Sequence, residues 1–197
     1  MSTREKLLDV AGRLFAEHGF DGVSVRDITH TARVNLGAVT YHFGSKETLF
    51  GLALLQKVAP LQELGKRIEE SREKPDARLR RALTEYTTFV LYKEPGLKAL
   101  FTESLQGGER LPKDVVELLK YRDRLLSKII REGVRDGIFR KCDARRTATM
   151  LLGLIIPYIQ EQPLIDPRYR HGAYPREEVR KIVNAAVALV MKGLLVR

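Results

Sequence analysis

The chain has 197 residues, 44% hydrophobic and 30% charged, with a formal net charge of +10; that length buries a real core in one large or two small domains, and the composition excludes a disordered chain. The longest apolar runs, residues 151–156 and 185–191, are far short of the ~20 residues a membrane span needs, and no charged-then-apolar leader opens the amphipathic start. The one cysteine, Cys142, rules out an internal disulfide and suits a reducing cytosol, so the expected location is cytoplasmic with no membrane partner.

In chain order, residues 3–18 read as a helix. Leu7, Ala11, Leu14 and Phe15 make its stripe, Thr3 caps it and Gly19 stops it. Val25, Ile28 and Ala32 make the stripe of a second helix, with Ser24 as N-cap and Asp27 three residues on, as in a capping box. Val34 breaks the period. Asn35 caps a third helix that runs to about Phe43, Gly44 ends it, and Ser45 caps the next. Two short helices on a tight turn, the second rich in small and polar side chains, are the pattern of a helix-turn-helix. Asn35, Gly37, Ala38 and Thr40 give the slim face a major groove admits. Tyr41 and His42 can donate to phosphate oxygens, and Lys46 joins the free N–H groups at a helix N-terminus, where an anion is favoured. The spacing alone also fits a plain pair of core helices with a solvated edge.

From Ser45 a long helix carries Leu49, Phe50, Ala53, Leu54, Val58, Leu61, Leu64 and Ile68 at helical spacing, and Pro60 is expected to kink or break it. Lys74-Pro75-Asp76 reads as a loop. A helix through Leu79, Leu83, Tyr86, Phe89 and Val90 is broken at Glu94-Pro95-Gly96; a short helix over 97–105 and a Gly107-Gly108 loop follow. Pro112 opens a long helix that Gly137 ends. Asp143 caps one that runs to about Gln160, with Pro157 bending it. Residues 162–174 read as an exposed basic loop, and Pro175 suits the start of a last helix, with Glu177 and Glu178 at its positive end. No run alternates as a strand would, so the fold class is all-α. The last two helices, carrying Leu151, Ile155, Val183, Ala186, Leu189 and Val190 among other apolar residues, are apolar over most of their girth, whereas a surface helix is apolar over one stripe. A two-fold homodimer through a four-helix contact is the simplest cover, and a central place in a monomeric core is the alternative.

Residues 1–50 hold six Lys/Arg and six Asp/Glu, so the positive excess lies in the remainder and does not locate a nucleic-acid site. The histidines, His18, His30, His42 and His171, do not pair with each other or with Cys142 at ligand spacing, and no phosphate loop or nucleophile–base set stands out. Neither a metal nor a cofactor is expected. Glu85, Glu94 and Glu103 read as solvated or salt-bridged carboxylates rather than acid–base pairs.

The run from Ala11 to Phe15, Gly19, Phe20, the cap from Ser24 to Ile28 and above all TYHFGSKETLF at 40–50 resemble the DNA-binding domain of the tetracycline-repressor (TetR/AcrR) family, over about a quarter of the chain. Two positions depart from the family pattern: Arg33 stands where the turn normally has Gly, and Thr29 where it has a small Ala. A non-Gly residue in a left-handed turn costs ~1–2 kcal/mol; a phosphate contact from Arg33 would offset it. The resemblance implies a helix-turn-helix domain over 1–50 and a helical ligand-binding and dimerisation domain over 51–197. It implies a dimeric transcription regulator, a repressor rather than an enzyme, that binds a double-stranded, near-palindromic operator. Arg26, Asn35, Leu36, Ala38 and Thr40 would then face bases beside Gly37, while Arg33, Tyr41, His42 and Lys46 hold phosphates. It also implies a small-molecule effector in the larger domain, with Tyr86, Phe89, Phe101, Tyr121, Tyr158 and Glu103 as candidate contacts. Two other readings are a dimeric helical module that binds RNA or an acidic partner, and a small helical enzyme.

Overall fold

The computed structural model describes residues 1–93, 97–169 and 174–196. They form helices α1 (Thr3–His18), α2 (Val25–Ala32), α3 (Ala38–Phe43), α4 (Lys46–Glu69), α5 (Pro75–Thr88), α6 (Lys98–Leu105), α7 (Lys113–Arg135), α8 (Ala144–Gly153), α9 (Ile156–Gln160), α10 (Gln162–Ile165) and α11 (Arg176–Leu194). A π-helical turn, Phe89–Lys93, continues α5, and Pro167–Tyr169 is a 3-10 turn. Among the described residues there is no strand beyond one isolated bridge, Phe139 to Leu195, so the all-α expectation holds. The break expected at Glu94-Pro95-Gly96 lies outside the described residues.

The chain divides into two compact units, residues 1–59 with 95–116 and residues 60–94 with 117–197. The first is larger than the initial fifty residues because α6 packs on α1 and buries Ala99 and Leu100. Leu7, Ala11 and Phe15 of α1, Ile28 and Ala32 of α2, Val39 and Phe43 of α3, and Leu49 and Phe50 of α4 close its core. Phe15, Phe20 and Phe50 form an aromatic trio, with ring centres 5.0 to 5.9 Å apart. Gly51 lets α4 pass Pro112, since a Cβ there would stand 2.7 Å from the Pro112 ring.

In the second unit α11 packs on α5. The guanidinium of Arg78, on α5, donates to the Ile68 carbonyl at 3.1 Å and to Glu132 of α7 at 2.6 Å. After α7, Phe139 folds its ring against Gly133, where a Cβ would lie 2.1 Å away, and the chain end is tied back by Arg140 N–H to the Leu194 carbonyl at 2.7 Å.

Several elements differ from their expected form. Ser2, not Thr3, caps α1, because only Ser2 has a glutamate three residues on: Glu5 N–H donates to the Ser2 hydroxyl and Ser2 N–H to the Glu5 carboxylate. Pro75 and Asp76, expected in a loop, form the first turn of α5, since the first helical N–H has no partner to lose. α4 runs unbroken through Pro60; that residue and Gln56 are exposed, so water can satisfy the carbonyl the proline leaves free. The helix from Asp143 ends at Gly153, not Gln160. Pro157 has no N–H to donate to Gly153 and its ring crowds that carbonyl, so α8 stops and α9 begins at Ile156. Of the expected exposed loop over 162–174, residues 170–173 lie outside the described residues; the rest contains α10 and the 3-10 turn, and Tyr169 and Tyr174 within it are buried. Their rings stack at 4.4 Å, and the Tyr174 hydroxyl donates to the Tyr158 carbonyl. Burial pushes the Tyr174 phenol up to about 12.

Candidate nucleic-acid interface

The surface around α2 and α3 is built by a short series of local hydrogen bonds. Asp27 N–H donates to the Ser24 hydroxyl at 3.1 Å, and the Asp27 carboxylate accepts from Ser24 N–H at 2.8 Å and its hydroxyl at 2.6 Å. Those bonds hold Asp27 below the usual carboxylate range. They fix the first turn of α2 and leave the adjacent Arg26 side chain exposed. Thr29, buried where a small apolar residue would be simplest, satisfies its hydroxyl on its own helix, at Val25 O (3.0 Å) and Arg26 O (3.2 Å).

Arg33 ends α2 in the left-handed conformation, φ 53° and ψ 51°, the only non-glycine residue at positive φ among those described. The turn therefore keeps the left-handed geometry that a glycine would adopt freely, and its guanidinium projects at the surface. Asn35 does not cap α3 directly. Its side-chain oxygen accepts from Gly37 N–H at 2.8 Å, and α3 proper starts at Ala38. Asparagine bonds its own backbone two residues on more readily than it waits for a helix turn. That closes a turn over 35–37 and leaves the Asn35 amide N–H₂ and the half-exposed Leu36 facing out.

Val39 and Phe43, four apart, are buried, so Thr40 and Tyr41 take the opposite side of α3. Tyr41 is 84% exposed. Ala38 and His42 are half-buried, the His42 ring lying 4.9 Å from that of Tyr41. Gly44, φ 78°, ends the helix, and Ser45 caps α4 by accepting from Thr48 N–H at 3.1 Å. Lys46 Nζ sits 4.0 Å above the Phe20 ring, a cation–π contact that holds the ammonium at the start of α4. All ten candidate residues of this surface belong to one compact unit, and Arg26, Arg33, Asn35, Leu36, Gly37, Thr40 and Tyr41 among them are exposed.

One residue the sequence did not mark is Arg110. Its guanidinium covers the Phe20 ring at 4.9 Å and reaches Asp21 at 3.5 Å and Glu103 at 3.3 Å. Only spacing from Glu103 could have hinted at it. Glu103 is the buried partner in that ion pair. The unit carrying this surface holds ten Lys/Arg against nine Asp/Glu, so its positive character comes from placement and not from excess.

The ligand candidates are divided between the two compact units. Phe101 and Glu103 fall in the first compact unit, while Tyr86, Phe89, Tyr121 and Tyr158 fall in the second. The Tyr86 hydroxyl accepts from Arg122 at 2.8 Å. The Tyr121 hydroxyl donates to Glu69 at 2.8 Å, its phenol pushed up to about 12 by burial and by that carboxylate. Tyr158 packs edge-on to Tyr174. A groove of about 700 Å³ does lie in the second unit, lined by Pro60, Glu63, Leu64 and Arg67 of α4 with Thr84, Glu85, Thr88 and Phe89; of the six candidates only Phe89 lines it. Of the residues expected at a dimer contact, Leu151, Ile155, Val183 and Val190 are taken up by the chain's own core, since each turns inward on its helix; Ala186 is half-buried and Leu189 is 66% exposed. Met150 and Ile156 are exposed as well.

Residues 7–53 match the family of bacterial regulatory proteins of the tetR type, and residues 72–158 match a tetracyclin repressor-like C-terminal domain. The chain is 42% identical over 59 residues to the HTH-type transcriptional repressor AcnR of Corynebacterium efficiens, a match spanning 30% of this chain and 31% of that protein. It is 27% identical over 140 residues to the HTH-type transcriptional repressor NicS of Pseudomonas putida, spanning 70% of this chain and 66% of the relative. Among solved structures, PfmR from Thermus thermophilus superposes with a TM-score of 0.77 at 24% identity, over 95% of this chain and 97% of that one. The ketosteroid regulator KstR2 of Mycobacterium tuberculosis gives 0.76 at 20% identity, over 100% and 96%. At such identities the superpositions show a shared fold.

Proposed function

The chain belongs to the tetR family of bacterial regulatory proteins, and from that premise we propose that it is a dimeric transcription repressor which a small ligand releases from a near-palindromic operator. Family membership makes it a regulator and not an enzyme. The observation that carries the DNA-binding reading is the outer face of α3. Leu36 and Tyr41 stand exposed beside Thr40 on a face with no partner of its own, while Val39 and Phe43 anchor the helix behind it. Slim, partly apolar side chains flanked by cations are what a major groove and its phosphates accept. The repressors AcnR and NicS, to which the chain is similar, favour repression over activation. A gel shift on the chain's own upstream DNA, with and without competing RNA, tests this reading. A shift that RNA abolishes at equal mass would reject it.

Arg26 and Lys46 separate readout from positioning. Arg26 is exposed beside the capped start of α2, and its fork matches guanine O6 and N7, so Arg26→Ala is expected to relax preference at one base pair per half-site by ~1–3 kcal/mol. An equal loss across all operator variants would reduce it to a phosphate contact. Lys46→Ala is expected to weaken binding to every sequence alike and to lower the salt slope by about one unit. An unchanged slope would mean that Lys46 keeps to Phe20 when DNA is bound.

Effector control is assigned to the groove beside Pro60 and Phe89, next to the π-helical turn. The chain passes between its compact units at 59–60, 94–95 and 116–117, so α4 and α7 both run from one unit into the other. A ligand shifts DNA affinity only through its differential affinity for two states, typically ~1–3 kcal/mol, and operator DNA weakens ligand binding by the same factor. Pro60→Ala restores a hydrogen bond in α4 and is expected to reduce that factor, with affinity for the free protein nearly intact. Titrating an effector found by thermal-shift screening, with and without operator, checks this; equal coupling in both proteins removes Pro60 from the mechanism.

A further inference from the structure

The positive charge that the DNA-facing unit lacks is gathered in the other unit, where 25 Lys/Arg stand against 16 Asp/Glu. Part of it lines a trough between α7 and α8. Two hollows of about 510 and 690 Å³ share Arg131 and Arg145, and Arg124 lines the first. Arg124 and Arg131 are seven residues apart, on one face of α7 and about 10 Å apart along its axis. Arg145 faces them from the first turn of α8.

These three guanidinium groups make no salt bridge or hydrogen bond with any described side chain. The acids nearby are already taken. Asp123 accepts from Arg122 at 2.9 Å, Glu132 from Arg78 at 2.6 Å, and Asp143 from Arg146 N–H at the start of α8. No carboxylate stands three or four residues from Arg124 or Arg131 on α7, so neither has an intrahelical ion partner. Ser127 lines the first hollow as well: the residue is 6% exposed, and its hydroxyl is open to the solvent there, where it can serve as a further donor.

We propose that the α7–α8 trough is an anion site for a compact, multiply phosphorylated ligand, held by Arg124, Arg131 and Arg145 with the Ser127 hydroxyl as a further donor. Guanidinium forks match phosphate oxygens in pairs. The apolar wall given by Val134 and Ala144 strengthens those bonds by keeping water off one side. The volume is that of a small-molecule site. A concave trough does not admit a duplex, which needs a slim convex element to enter its groove. The site is distinct from both the α2–α3 surface and the groove beside Pro60, and it does not depend on the repressor reading.

Calorimetric titration of the full chain with inorganic tripolyphosphate tests this, using an Arg131→Gln/Arg145→Gln variant and a control, Arg80→Gln/Arg176→Gln, that removes the same charge from exposed positions elsewhere in the unit. Saturable binding near one equivalent per chain is expected, weakened about tenfold or more in the first variant and little changed in the control. Ser127→Ala is expected to weaken it by a smaller factor without altering thermal stability. No saturable binding, or an equal loss in both double variants, would overturn the proposal. So would binding of a 20-nucleotide RNA that tripolyphosphate cannot displace.

Discussion

Replacing Arg78 with methionine is expected to lower the free energy of unfolding by about 3 kcal/mol, the lower end of the cost of breaking a buried ion pair by removing one partner. The Arg78 side chain is 8% exposed and bonds two elements at once, the Ile68 carbonyl near the end of α4 and the Glu132 carboxylate on α7. Methionine fills much of the volume, but it leaves a carboxylate and a carbonyl without a donor. Water limits the loss, since the Glu132 side chain is 22% exposed. For a chain of this length that corresponds to a fall in Tm of roughly 6–12 °C. The double variant Arg78→Met/Glu132→Met should recover most of it, because the apolar pair leaves no buried charge. Urea unfolding of the two variants distinguishes the outcomes. If the single variant is as stable as the double, the ion pair is not what joins α5 to α7.

Arg78 was not legible in the sequence, and the reason separates what could be read from what could not. Local signals were readable because they act within four residues. Ser24 with Asp27, Gly44 at positive φ, Ser45 as a cap and the stripes of α1 and α2 all form the contacts their spacing implies. So did the left-handed turn at Arg33, which needs no partner. Errors arose where local preference had two outlets. Asn35 closed a turn on Gly37 instead of capping α3, and Pro60 and Pro157, alike in sequence, had opposite effects. Pro60 is exposed and its freed carbonyl can turn to water; α8 stops short of Pro157. Long-range pairs were hidden altogether. Arg110 reaches Asp21 across 89 positions and Arg78 reaches Glu132 across 54, and a single sequence carries no sign of either. The aromatic set shows the same limit: clustered aromatics mark packing before they mark a cavity, and Tyr86, Tyr121 and Tyr158 meet Arg122, Glu69 and Tyr174, partners far along the chain.

The sharpest test of assembly lies in two adjacent residues of α11. Val190 is 6% exposed and Leu189 is 66% exposed, so they turn to opposite environments one position apart. A charge at Val190 enters the chain's own core without a partner and is expected to unfold it, whatever the oligomeric state. A charge at Leu189 meets water in a monomer and costs within about 0.5 kcal/mol there. In a two-fold dimer through α11 the same aspartate is buried twice, once per copy, because an isologous contact presents each residue to its symmetry mate. Leu189→Asp is therefore expected to leave the melting curve of the isolated chain nearly unchanged while converting a dimer to monomer, measured by light scattering after size exclusion. Operator binding should fall with it by roughly 10²–10⁴, since the second half-site contact is then no longer intramolecular. Met150 on α8 and Ile156 on α9 are further exposed apolar residues. A Leu189→Asp protein that stays dimeric and keeps its operator affinity would place the partner surface elsewhere, and an unmutated chain that runs as a folded monomer would end the two-fold reading.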